Sequence, residues 1–154
     1  MARATEESII NRMATEFGTI DGIKNAYGFA DNPDGLTNSQ LPAVILYPAS
    51  FESDLKAHHN RHRNQFDFVA ILYVAPRADR GGSLKFLENA ALPFLGKVRS
   101  HFQTEAVIKR MFNTGNMTNV TTFTGSYGAG GQLLTYNGVE YIGCIFRWTF
   151  VEIT

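Results

Sequence analysis

Asn137-Gly138 lies between two strand patterns, Leu133 to Tyr136 and Val139 to Ile153. A two-residue type I′ turn needs positive φ at both central positions, and Asn-Gly tolerates it best. The turn's twist also matches that of paired strands. The dipeptide therefore predicts a C-terminal β-hairpin. Along its second strand Ile142, Cys144, Phe146, Trp148 and Phe150 alternate onto one face, while Arg147 and Thr149 take the other, with Tyr141 and Ile145 nearby. A long strand with a wholly apolar face predicts a central place in a sheet and a layer packed over it.

Helical periodicity supplies that layer. Residues 5–17 read as an amphipathic helix capped by Thr5, opened by Glu6 and Glu7 and stopped by Gly18, with Ile9, Ile10, Met13 and Phe17 as its buried stripe. Ser83 is placed to cap the longest helix, Leu84 to Phe102, whose stripe is Leu84, Leu87, Ala91, Leu95, Val98 and Phe102. Pro93 inside it predicts a kink or break near Ala90. Residues 104–112 continue as a short helix with Val107, Ile108, Met111 and Phe112 apolar.

The remaining apolar runs read as strands. A short one is expected within Ile23 to Ala30, followed by turn chemistry at Asp31-Asn32-Pro33-Asp34-Gly35 and a surface loop to Gln40. Leu41-Pro42-Ala43-Val44-Ile45-Leu46-Tyr47 is a strong strand closed by Pro48, and Phe66 to Val74 is another, with residues 52–64 as the hairpin connection. In the latter strand Phe66, Phe68, Ala70, Leu72 and Val74 share one face. Val69, Ile71 and Tyr73 make half of the other face apolar too, and a neighbouring subunit is the expected cover. Asn119 to Thr124 reads as a further strand, and Gly125 to Gly131, with four glycines in seven residues, as a mobile loop ordered by a partner. The order helix, strands, helix pair, strands predicts an α+β fold over one domain, 1–154. It is expected to have a mixed or antiparallel β-sheet, helices packed on one face, and a C-terminal β-hairpin with a long last strand.

Composition narrows the chemistry. Formal charge balances at 14 basic and 14 acidic residues, so no global field draws the chain to nucleic acid or membrane. Charged residues make up only 18% against 44% apolar, which predicts apolar surface buried against something beyond this chain. Cys144 is the single cysteine, expected as a buried inert thiol in a reducing compartment. The start MARATEESIINRM lacks the pattern of a signal peptide, and no apolar run approaches a membrane span, so a protein without a membrane partner is expected.

The densest polar cluster is Lys56, His58, His59, Arg61, His62 and Arg63. His58 and His62 are four apart, a spacing that places two ligands on one helix face. But no Glu follows His58, and the two arginines would repel a divalent ion. A small metal-dependent enzyme using His58, His59, His62 and His101 is the alternative from another class. A solvated basic patch, facing a lumen or partner where DNA passes, is the preferred reading, with transient rather than specific contact. The loop glycines Gly125, Gly128, Gly130 and Gly131, with Tyr127 among them, lack the Gly-Lys-Ser/Thr ending of a phosphate loop. No catalytic, cofactor or metal constellation is expected, and the chain reads as a non-enzyme.

The element order, the Pro42-Ala43-Val44 strand ending at Tyr47, the mid-helix Ala91-Leu92-Pro93 and the terminal aromatic strand Tyr141 to Val151 resemble the tail-terminator, or U-like minor tail, proteins of long-tailed bacteriophages. The resemblance spans nearly the whole chain and rests on packing patterns. It implies a hexameric ring that caps the tail tube at the head-proximal end of the virion, assembled in the host cytoplasm. The implied partners are other copies of itself, the tail tube protein and neck or connector proteins. A neck or head–tail connector subunit is the nearest alternative.

Overall fold

A computed structural model describes residues 4–28, 31–54, 62–77, 84–112, 120–127 and 132–153. Helix α1 (Glu6–Gly18) leads to β1 (Asn25–Tyr27), β2 (Ala43–Asp54), β3 (Arg63–Pro76), α2 (Leu84–Phe102), α3 (Glu105–Phe112), β4 (Val120–Tyr127), β5 (Gln132–Tyr136) and β6 (Val139–Ile153). The expected α+β class holds.

The six strands form one mixed sheet in the order β1-β2-β3-β6-β4. Only β1–β2 is parallel. β6 is the spine. One edge pairs with β3 from Tyr141 to Ile153, while the other holds β5 over residues 139–143 and then β4 over residues 146–152. The β5–β6 turn has φ 48° at Asn137 and 82° at Gly138, the positive values that the dipeptide predicts.

All three helices contribute to one core on a single face of the sheet. Phe66, Phe68, Ala70 and Leu72 of β3 and Ile142, Cys144, Phe146, Trp148 and Phe150 of β6 meet Ile9, Ile10, Met13 and Phe17 of α1, Ala91, Val98 and Phe102 of α2, and Val107 and Met111 of α3. Trp148 is the centre: its rings lie 4.8 Å from Phe102 and 6.1 Å from Phe17. Thr5 caps α1 in a reciprocal capping box with Ser8, and the helix ends one residue beyond expectation, with Thr19 as its C-cap. The Cys144 thiol is buried and donates to the Ala91 carbonyl at 3.5 Å.

Four expectations change. β2 does not close at Pro48 but runs on to Asp54, because Pro48 falls at a register shift between Pro48 and Ser50, the kind of bulge where a missing N–H costs no ladder bond. The hairpin connection is correspondingly shorter than residues 52–64, since Asp54 already pairs with Arg63. α2 is continuous through Pro93, without a break near Ala90. Pro93 and Asn89, four residues earlier, are both exposed, so the helix bond that proline forfeits lies on the solvent side of the helix. Finally, the Ile71 and Tyr73 part of the second apolar face of β3 is covered from within. Leu36, Leu41, Ala43, Ile45, Tyr73 and Tyr141 form a second core there, flanked by Tyr27, Tyr47, Ile71, Leu134 and Tyr136. The segment before β2 is strapped down by side chains: Tyr136 donates to the Pro33 carbonyl, Asn137 to that of Asp34 and Tyr141 to that of Leu36. Burial pushes the Tyr73 hydroxyl far above the ordinary phenol range.

Candidate interaction surface

Of the basic cluster, Lys56, His58, His59 and Arg61 lie outside the described residues, and only its end is placed. His62 is half-buried, and Arg63 is exposed at the start of β3, across from Asp54 and Ile153, where it donates to Gln65 at 3.3 Å. His101, the fourth histidine, is on α2 and serves a buried carboxylate there. Among the described residues no three His, Cys, Asp or Glu side chains come together as metal ligands, and no helix is long and apolar enough to cross a membrane.

The glycine loop is corrected at its beginning. Gly125 is a strand residue of β4 opposite Trp148, and Tyr127 ends the same strand opposite Phe146. Gly128, Gly130 and Gly131 lie outside the described residues. A Cβ at Gly125 would sit 2.4 Å from Cζ3 of Trp148, so this glycine is required by the indole lying against the backbone. Composition alone could not separate a packing glycine from a loop glycine.

Among the described residues the β4/β5 side of the sheet is its least protected edge. Among the described residues no strand pairs with the far edge of β4, and β5 shares that side of β6. Sheets usually guard such edges with lysine, proline or extreme shortness. Here β4 and β5 contain no charge and no proline, and the sequence from Met111 to Val139 has no Asp, Glu, Lys, Arg or His at all. That uncharged run was a readable signal of an open edge. Leu133 on β5 and Val139 at the start of β6 add apolar exposure, at 42% and 48%. The opposite edge is unlike it, for β1 is only three residues long.

Between the edges, the part of the second sheet face beyond the tyrosines is polar. Asp67 accepts from Ser50 Oγ and Thr149 Oγ1, both at 2.6 Å, and from Gln65. Partial desolvation opposes ionisation of Asp67, but these donors outweigh it and hold the carboxyl below its ordinary range. Arg147 is exposed on the same face.

Two buried carboxylates escaped the reading by periodicity. Glu16, 1% exposed on α1, takes Arg12 at 2.8 Å, Arg110 of α3 at 2.5 and 3.0 Å, and His101 of α2 at 3.3 Å. One carboxylate thus ties three helices together. Glu152, fully buried near the end of β6, accepts from the Ala4 N–H and from Asn64.

No protein-family model matches the chain, and no curated protein matches it.

Proposed function

We propose that the chain is a structural subunit of a long-tailed phage, forming a ring that caps the tail tube and offers the head-side joining surface. The observation that carries this reading is the sheet with two unlike ends, a three-residue β1 at one side and an uncharged open β4/β5 edge at the other. A ring is built from heterologous contacts, in which one surface meets a different surface on the next copy, and unlike edges suit such a contact. The order of elements is the one on which the resemblance to tail terminators rests. A tube grows because each added ring presents again the surface that recruited it. A terminator binds the tube on one side and withholds that surface on the other.

The deciding measurement is electron microscopy of lysates lacking this protein. Overlong tails without heads are the expected result. Tails of normal length that fail to join heads would transfer the subunit to the neck, and infectious particles would remove it from virion assembly.

A further inference from the structure

A pocket of about 250 Å³ opens where the first turn of α1 meets the ends of β2, β3 and β6. Phe51 and Phe66 form an aromatic wall, their ring centroids 5.0 Å apart, and Phe51 is half exposed. Glu152 lines the pocket from below. Its carboxylate accepts from Ala4 N–H at 2.5 Å and Asn64 Nδ2 at 3.0 Å, and Ser53 Oγ fixes Asn64 by donating to its Oδ1 at 2.8 Å. An ionised carboxylate offers about four acceptor positions, so these two donors do not saturate it.

Among the described residues the charge here is unbalanced. A fully buried carboxylate ordinarily has a cation beside it, as Glu16 has in Arg12 and Arg110. Among the described residues Glu152 has no cationic partner, and no Lys, Arg or His lines the pocket. The N-terminus of α1 supplies about half a positive charge, against the two carboxylates that line the pocket, Glu6 and Glu152. Aromatic faces beside surplus negative charge suit a cation with an apolar body.

We infer that this pocket binds an alkylammonium or alkylguanidinium group, its charge directed at Glu152 and its stem against Phe51 and Phe66. A lysine or arginine side chain of another protein and a free aliphatic amine share this chemistry. The inference does not depend on the tail reading.

The test is an NMR titration of the intact chain with n-butylguanidinium, using n-butanol as the uncharged control. Saturable shifts at Ala4, Phe51, Ser53 and Asn64 are expected with the cation and not with the alcohol. Phe51→Ala, at a half-exposed position where folding should survive, is expected to weaken binding at least tenfold, and Glu152→Gln to do the same if it folds. No saturable shift, an equal response to butanol, or binding that emerges only in Arg3→Gln (the chain filling its own pocket) would each overturn the proposal. The source is read from assembled protein. Displacement of a partner chain by butylguanidinium identifies a protein side chain, and a small amine recovered by mass spectrometry identifies a free one. Either result supports the site.

Discussion

Replacing Gly125 with alanine would drive a methyl group into the indole of Trp148, with Cβ 2.4 Å from Cζ3. The contact is with the rigid ring and not a flexible tip, so Gly125→Ala is expected to lower stability measurably in urea unfolding. Trp148→Ala removes the largest fully buried side chain and should cost about 3–5 kcal/mol. Because the two residues touch, their effects should not add: Gly125→Ala is expected to cost less in a Trp148→Leu background. Equal costs in both backgrounds would mean that the indole is not what excludes the methyl group. Glu16 makes a separate prediction about pH. Desolvation by burial pushes its carboxyl up, but Arg110, His101 and Arg12 outweigh that and leave it below the ordinary value. A depressed folded value means the contribution is fully present above the unfolded carboxylate range, near pH ~4.3, and is lost as pH falls through the folded value. Thermal stability should therefore fall with acid in this range, and Glu16→Gln should flatten the slope. An unchanged slope would assign acid sensitivity to other carboxylates.

At the scale of elements, α2 and the β5–β6 hairpin make opposite uses of restricted backbones. Pro93 is exposed inside α2 and no ladder partner compensates for its missing N–H, so Pro93→Ala should stabilise the chain, by up to about 3 kcal/mol. Loss of stability would instead show that the ring makes a contact worth more than the helix bond. Gly138 has φ 82° with open space around a would-be Cβ, so Gly138→Ala meets no clash and pays only for the left-handed backbone, about 1–2 kcal/mol by urea unfolding. The bulge at Pro48 shows why the end of β2 was misjudged. A proline halts a regular ladder, but one register shift removes the demand for its N–H and lets β2 continue to Asp54.

For the whole molecule the open side of the sheet is the feature to perturb. Leu133 is 42% exposed and Val139 48%, so a lysine at either position leaves the helix-side core untouched. Leu133→Lys with Val139→Lys should keep the chain's thermal stability within about 0.5 kcal/mol, as surface changes do, while native mass spectrometry shows the proposed ring replaced by single chains. A ring that survives both charges would move the subunit contact away from β5 and the start of β6. The composition led to an expectation of apolar surface buried beyond this chain, and the alternation placed it on β3. There the tyrosine strap of the chain itself packs against Tyr73 and Ile71, and among the described residues the large exposed apolar side chains are Phe51, Leu92, Leu133 and Val139.

What the sequence determined by itself is everything governed by a few neighbouring residues. Thr5 as a cap, the stripe Ile9, Ile10, Met13 and Phe17, the Asn137-Gly138 turn and the alternation from Ile142 to Phe150 are set by local backbone preferences and by periods of 3.6 and 2. From these the α+β class and the helix-covered face follow. The tertiary structure alone decided which polar groups are buried and why. Glu16 reads as solvent-facing until Arg110, 94 residues away, closes on it. Gly125 reads as loop until Trp148 lies across it, and Glu152 as a strand end until Ala4, 148 residues earlier, docks on it. Each outcome depends on a partner brought close by sheet register and helix packing, and no local preference encodes the identity of a neighbour that far along the chain.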